Sequence, residues 1–266
     1  MRTDRANLSA PAIALFAFGL WMTVSAQERI TAVHDDLRIQ TNLPTLTQVE
    51  QIRRLSLTEA DRHYPVKLRG VVLDSSSLQT LFISDQTGGI YVKLATNQSF
   101  FQGQLIEVDG ISDAGRFAPM IVSSKLRVIG KGELPPPLDV SFQKLASGAE
   151  DSQWVRIQGI VRSTTMQNLK EKLKLPALTL ATEDGGRLNI LINNYHGEPV
   201  SSLVDAEIAV TGIVESIYNG KRQLINVRLL SPSAKFIEIN RPAPQDILTA
   251  PPYPIDSLRQ FSLEKP

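Results

Sequence analysis

The sequence predicts an all-β protein: tandem five-stranded Greek-key barrels joined by Pro-rich linkers. Three observations lead there. Apolar and polar residues alternate through much of 66–72, 81–94, 103–111 and 125–130, and again through 154–161, 178–192, 203–214 and 225–232. That is the period of a half-buried strand. Glycines recur in the same order in both runs, Gly70, Gly88-Gly89 and Gly110, then Gly159, Gly185-Gly186 and Gly212. Five strands within about 65 residues is the arithmetic of a small closed barrel, and closure protects the edges of so short a sheet.

The elements follow in order. Arg2 and Arg5 make a positive start, PAIALFAFGLWMTV at 11–24 is uncharged, and Val24-Ser25-Ala26 offers small residues to a signal peptidase. Residues 1–26 therefore read as a signal peptide cleaved after Ala26. The alternative is an uncleaved anchor, although the run is short of the roughly 20 residues that span a bilayer. Export places the mature chain in the periplasm or another extracytoplasmic compartment. Residues 27–60 form an N-terminal extension or cap. Within them Leu46, Val49, Ile52 and Leu55 recur every three residues, which suits a short helix, and Thr45 with Gln48 fits a capping box at its start.

Barrel 1 covers 61–132, with strands expected at 65–74, 80–85, 90–94, 105–112 and 121–128. Asp85-Gln86-Thr87-Gly88-Gly89 reads as the turn between the second and third. Barrel 2 covers 150–240, on the same plan with insertions at 164–176 and 193–202. Between them, 133–149 contains three consecutive prolines and reads as an extended spacer that sets the barrels along a rod. Residues 241–266 form a second Pro-rich linker. Its end, RQFSLEKP at 259–266, echoes RRLSLTEA at 53–60, as though a third unit were beginning. The expectation is that the sequence stops short of that unit.

Composition excludes several function classes. The 266 residues carry 28 basic and 27 acidic side chains, a formal charge of +1, so a bulk polyanion binder is disfavoured. With 42% hydrophobic and 21% charged residues, the chain belongs with folded proteins. It has no cysteine, which removes disulfides, thiolate metal sites and cysteine nucleophiles.

Together LRGVV, LFISDQTGGIYV, GQLIEVDG and GRFAPMI resemble the oligonucleotide/oligosaccharide-binding (OB) fold units found in tandem in the extracytoplasmic regions of bacterial membrane signalling proteins. The resemblance covers about 65–130 well and 153–232 less well, because LTLATEDGGRLNILI lacks the DxTGGIYV form. It implies a sensory or protein-interaction role without catalytic residues, in a receptor that continues into a membrane span and a histidine kinase or diguanylate cyclase. The second possibility is a free periplasmic OB-fold protein that binds a small ligand, an oligosaccharide or single-stranded nucleic acid.

The residues themselves offer no catalytic set. His34, His63 and His196 are dispersed, no HExxH or GxSxG is present, and Glu183-Asp184 are adjacent. No catalytic residue, metal site or cofactor is assigned. Asp85 with the Gly amides could hold an ion, but turn chemistry explains the same residues. Phe82, Tyr91 and Phe117 among Lys67, Arg69, Lys93, Arg116, Lys125 and Arg127 could stack bases. The basic surplus there is small and export argues against that partner. Recognition is assigned instead to two loops between the last two strands of each barrel: Arg116 and Phe117 in GRFAPMI, and Tyr218, Lys221 and Arg222 around Asn219-Gly220. Arg and aromatic residues are favoured interface anchors. Both loops are expected at exposed barrel rims, against the plainer alternative that Phe117 and Met120 plug a barrel end. The partner expected is an extracytoplasmic protein or small ligand.

Overall fold

A computed structural model describes residues 43–77, 80–95, 98–170, 173–197 and 199–244. Residues 1–26, read as a signal peptide, and the C-terminal echo at 259–266 lie outside the described residues. What is described is mostly β-sheet, in two sheets.

The first sheet holds β1 (Pro65–Ser77), β2 (Thr80–Asp85), β3 (Gly88–Lys93), β4 (Gln104–Asp113) and β5 (Met120–Lys131). Their order is β1–β2–β3–β5–β4, and β4 pairs back to β1, so the sheet closes. The neighbours are antiparallel except β3 and β5, which run parallel. Alternation does the work expected of it: Val66, Leu68, Leu81, Ile83, Ile90, Val92, Ile106, Val108 and Ile121 fill one core, all but fully buried. Burial of that many branched aliphatic side chains, about 1.5–3 kcal/mol each, is what holds so small a sheet.

The second sheet repeats the wiring. β7 (Trp154–Lys170), β8 (Leu173–Ala181), β9 (Arg187–Ile192), β10 (Glu207–Tyr218) and β11 (Leu224–Ser231) correspond to β1 through β5. Each pairing has the same sense, including the parallel β9–β11 pair and the return of β10 to β7. Two short strands are added, β6 (Leu138–Asp139) beside β7 and β12 (Ile237–Arg241) beside β10. Gly70 faces Ile106 in the first sheet as Gly159 faces Ile208 in the second, so the glycine echo reflects a common register.

Each sheet is introduced by a short helix. α1 (Val49–Arg53) precedes the first, followed by α2 (Leu57–Ala60). Leu46, Val49 and Ile52 point into the first core, as their spacing predicts. The cap differs from expectation: Gln51 Oε1, not Gln48 paired to Thr45, accepts the amides of Thr47 and Gln48 (2.8 and 3.1 Å). In α2, Ser56 and Glu59 cap each other reciprocally, the Glu59 carboxylate accepting from Ser56 N at 2.8 Å. α3 (Phe142–Ala146) introduces the second sheet and buries Leu145.

The segment 133–149 is therefore not a free spacer. It pairs with β7 through β6 and docks α3 on the second core, to which Phe142 adds. Nor are the two sheets held apart. A third cluster joins Leu73 and Phe82 of the first to Trp154, Ala177, Leu191, Ile213 and Leu230 of the second. What overrides the expected spacer is burial of apolar side chains carried on the outer faces of both sheets.

Candidate recognition surface

The turn after β2 is a helix receptor. Asp85 Oδ1 accepts from the Thr87 amide and hydroxyl and the Gly88 amide (2.7, 2.6 and 3.2 Å), while Oδ2 accepts from Val49 N at 2.8 Å. Thr87 Oγ1 takes Glu50 N at 2.9 Å. The side chains that shape the turn thus satisfy two of the orphan amides that start α1. In the second sheet Asp184 Oδ2 accepts Gln143 N at 3.0 Å, the opening turn of α3. Its carboxyl is held below the usual range, first by the Thr182 hydroxyl and then by that amide.

The same turn touches the second unit. Gly89 lies so close to Ser152 that a Cβ there would come within 2.2 Å of the Ser152 carbonyl oxygen. Gln153 grips the Gly89 backbone from both sides, accepting its amide (3.2 Å) and donating to its carbonyl (3.0 Å). Arg53, at the end of α1, donates to Gly89 O, Asp151 O and Ala149 O (3.3, 2.6 and 2.9 Å). Burial lowers its pKa, and the nearby Asp151 and Glu150 charges oppose that shift. On another side, Asn193 Nδ2 donates to the buried Asp74 carboxylate at 2.7 Å.

The two loops assigned to recognition meet here. The Phe117 ring stacks on Tyr218 with centroids 6.2 Å apart and planes 5° from parallel. Phe117 also presses against Gly148, where a Cβ would come within 2.7 Å of its ring. Both rings are half-buried, whereas Arg116, Lys221 and Arg222 are exposed. Phe117 is thus neither a free rim anchor nor a plug of its own sheet; it packs on the other unit. The Asn219 turn joins the antiparallel β10 and β11 as a hairpin. Asn219 Oδ1 accepts Lys221 N and Gln223 N, and Arg222, not Gly220, takes the left-handed conformation (φ 62°).

Phe82 and Tyr91 form an edge-to-face pair whose centroids are 5.5 Å apart. Phe82 is only 7% exposed and both rings pack in the cluster between the sheets, so they are not an open stacking platform. Burial raises the Tyr91 pKa, with Tyr218 and Glu215 adding to the rise and Arg116 opposing it. Lys67 and Arg69 are exposed; Arg69 and Arg127 flank Glu107, whose carboxyl is held low chiefly by the Arg127 hydrogen bond. A cleft of about 1280 Å³ opens beside Lys67, Arg69, Pro135 and Pro136, and none of the five assigned residues lines it. His63 Nδ1 lies 3.2 Å from Ser112 O; His34 is outside the described residues.

A further row of residues escaped the sequence reading. Register aligns Glu215 with Arg228, Arg228 with Asn189, Asn189 with Thr179 and Thr179 with Ser163, across β10, β11, β9, β8 and β7. Their neighbours Val214, Val227, Leu188, Ile190, Leu178 and Leu180 are in the core, so this row faces outward. Arg228 Nε donates to Glu215 at 2.5 Å, and the Ser163 hydroxyl to Thr179 at 3.0 Å. Asn189 Oδ1 is buried with no hydrogen-bond donor. One step along the same face, Ile213, Leu230, Leu191 and Ala177 form an apolar row that packs on the first unit. The signal was present as alternation within each strand, but only the pairing lines up the strands.

No family model matches the chain, and no curated protein matches it. Among solved structures, one described as "Structural mimicry for functional antagonism" is similar at 8% identity over 65% of this chain and 91% of its own, with a TM-score of 0.31.

Proposed function

We propose that the chain is a non-catalytic recognition module of the extracytoplasmic compartment, built of two tandem OB-fold barrels of Greek-key type and serving as the sensory or protein-interaction part of a larger signal-transduction receptor. The shared strand order and senses of the two sheets support the barrel reading. One observation carries the recognition reading: the Phe117–Tyr218 stack gathers the candidate loops of both units on one surface, with Arg116, Lys221 and Arg222 exposed around it. Cations at such a rim steer encounter and set salt dependence. The outward polar row of the second sheet favours a second reading, a free periplasmic OB-fold protein that takes a small ligand.

In-cell photo-crosslinking tests the first. A photoreactive residue at position 221 or 222 of the full chain should trap one cell-envelope protein, and the same residue at exposed Asp139 should not. Adducts confined to cytoplasmic proteins, or identical adducts from all three positions, overturn the proposal.

A further inference from the structure

We propose that Asn219, at the tip of the β10–β11 hairpin, is a self-modifying site. Its side-chain amide is lost to attack by the Gly220 nitrogen, and the isoaspartyl product dismantles the tip that carries Tyr218, Lys221 and Arg222. The chemistry stands apart from the recognition reading; only its effect on a partner rests on that reading.

The sequence isolates the position. No other asparagine of the chain is followed by glycine. A residue without Cβ leaves its own nitrogen open to approach, and a bulkier side chain hinders it. Gly220 is exposed, and a Cβ built there would meet nothing within 4 Å. The hydrogen bonds of the turn single out the same atom. Asn219 N donates to Gln223 O and Arg222 N to Asn219 O, both at 3.0 Å. Lys221 N and Gln223 N donate to Asn219 Oδ1 at 2.9 and 3.1 Å. Among the described residues the Gly220 amide donates to nothing, so it alone of the five turn amides is uncommitted.

The reaction balances with water as its only reagent. Gly220 N loses a proton to a base and bonds to Asn219 Cγ. The Cγ–Nδ2 bond breaks, and Nδ2 takes up one proton and leaves as ammonia. The cyclic imide that remains then adds one water. Opening at Cγ restores the main chain and leaves an aspartyl residue. Opening at the Asn219 main-chain carbonyl carbon reroutes the chain through Cβ and Cγ and leaves an isoaspartyl residue.

In the closed turn both ends of the amide are held, Oδ1 by two N–H groups and Nδ2 by Gln223 Oε1 at 2.8 Å. Bringing Cγ onto Gly220 N means releasing those bonds, so local opening of the tip sets the rate. The two products differ in what they rebuild. An aspartyl carboxylate still accepts both amides. An isoaspartyl residue adds one carbon to the main chain, and the register that pairs Tyr218 with Leu224 no longer fits the turn that closes it. Tyr218 then leaves its stack on Phe117, and exposed Lys221 and Arg222 gain a carboxylate beside them.

Peptide mapping by mass spectrometry of the full chain, aged at mildly alkaline pH, tests the assignment. Exchange of ammonia for water should appear at position 219 ahead of every other asparagine, as both aspartyl and isoaspartyl products. Conversion should run several-fold faster in urea, where the turn is open. Gly220→Ala, which the open space admits, should lose most of the conversion and keep the thermal midpoint of the parent. The separated isoaspartyl fraction should exchange its amide hydrogens faster through β10 and β11, and the aspartyl fraction should match the parent. Asn219 intact while other asparagines convert, undiminished conversion in Gly220→Ala, equal rates with and without urea, or unchanged exchange in the isoaspartyl fraction overturns the proposal. None of these measurements uses a partner, so their failure is distinct from failure of the crosslinks at 221 and 222.

Discussion

Single atoms decide how closely the two units approach. Gly89 has the Ser152 carbonyl where any side chain would be. Gly89→Ala should therefore cost about 2 kcal/mol or more, the range of overpacking at a closed contact, read as a lower urea midpoint with an unchanged slope. A loss below about 0.5 kcal/mol would mean the junction yields easily, as ordinary surface sites do. Phe117 and Tyr218 are a second such point. Aromatic pairs add about 0.5–1.5 kcal/mol beyond area burial, so a double-mutant cycle of F117A and Y218A should return coupling in that range. Coupling of zero would make the stack incidental. Because Phe117 packs across the junction, F117A alone should loosen the units before it unfolds the first sheet.

At the scale of elements, α1 and α3 are held through their first turns by acids at the turns between β2 and β3 and between β8 and β9. Asp184 serves α3, and its folded pKa is depressed by the Thr182 hydroxyl and the Gln143 amide. The sign follows: its contribution to stability is present above the pKa of the unfolded chain and is lost as pH falls through the lower, folded value. Asp184→Asn should lower the thermal midpoint near neutral pH and flatten the decline on the acid side. A variant whose midpoint tracks the parent at every pH would show that α3 does not depend on this charge. The group is exposed, so solvent screening keeps the effect modest. The strands were legible because their period survives in one dimension: expected 80–85 and 105–112 became Thr80–Asp85 and Gln104–Asp113. Helix docking was not legible, since Asp85 and Val49 are joined by a hydrogen bond that no spacing rule reports. The polar row was hidden for a similar reason, each strand giving it one unremarkable Ser, Thr, Asn, Arg or Glu.

For the whole molecule, the decisive residue is Arg53. It ties α1 to the first sheet's turn and to the entry of the second sheet, through three carbonyl oxygens. Replacing it with Met keeps much of the volume and leaves those carbonyls without their donor. Arg53→Met should make the segment 133–149 more susceptible to limited proteolysis and enlarge the radius of gyration in small-angle scattering, with both sheets intact by circular dichroism. Unchanged cleavage and dimensions would assign the junction to the apolar cluster alone. Proline content had suggested rods; contact between Leu73, Phe82 and Trp154 makes a packed pair the better description.

Closure of each sheet also has a cost in time. β1 must find β4, as Val66 finds Gly110, before either edge is satisfied. Contacts so distant along the chain slow folding, because loop entropy is lost before pairing rewards it. A newly closed first sheet would meet solvent with Phe82 and Leu73 uncovered until the second sheet forms and supplies Trp154, Ile213 and Leu230. During that interval the half-made chain carries an adhesive apolar face beside strands not yet paired. Its hazard is capture by another half-made copy, so the yield of native protein should fall with concentration during refolding even where the finished molecule is well behaved.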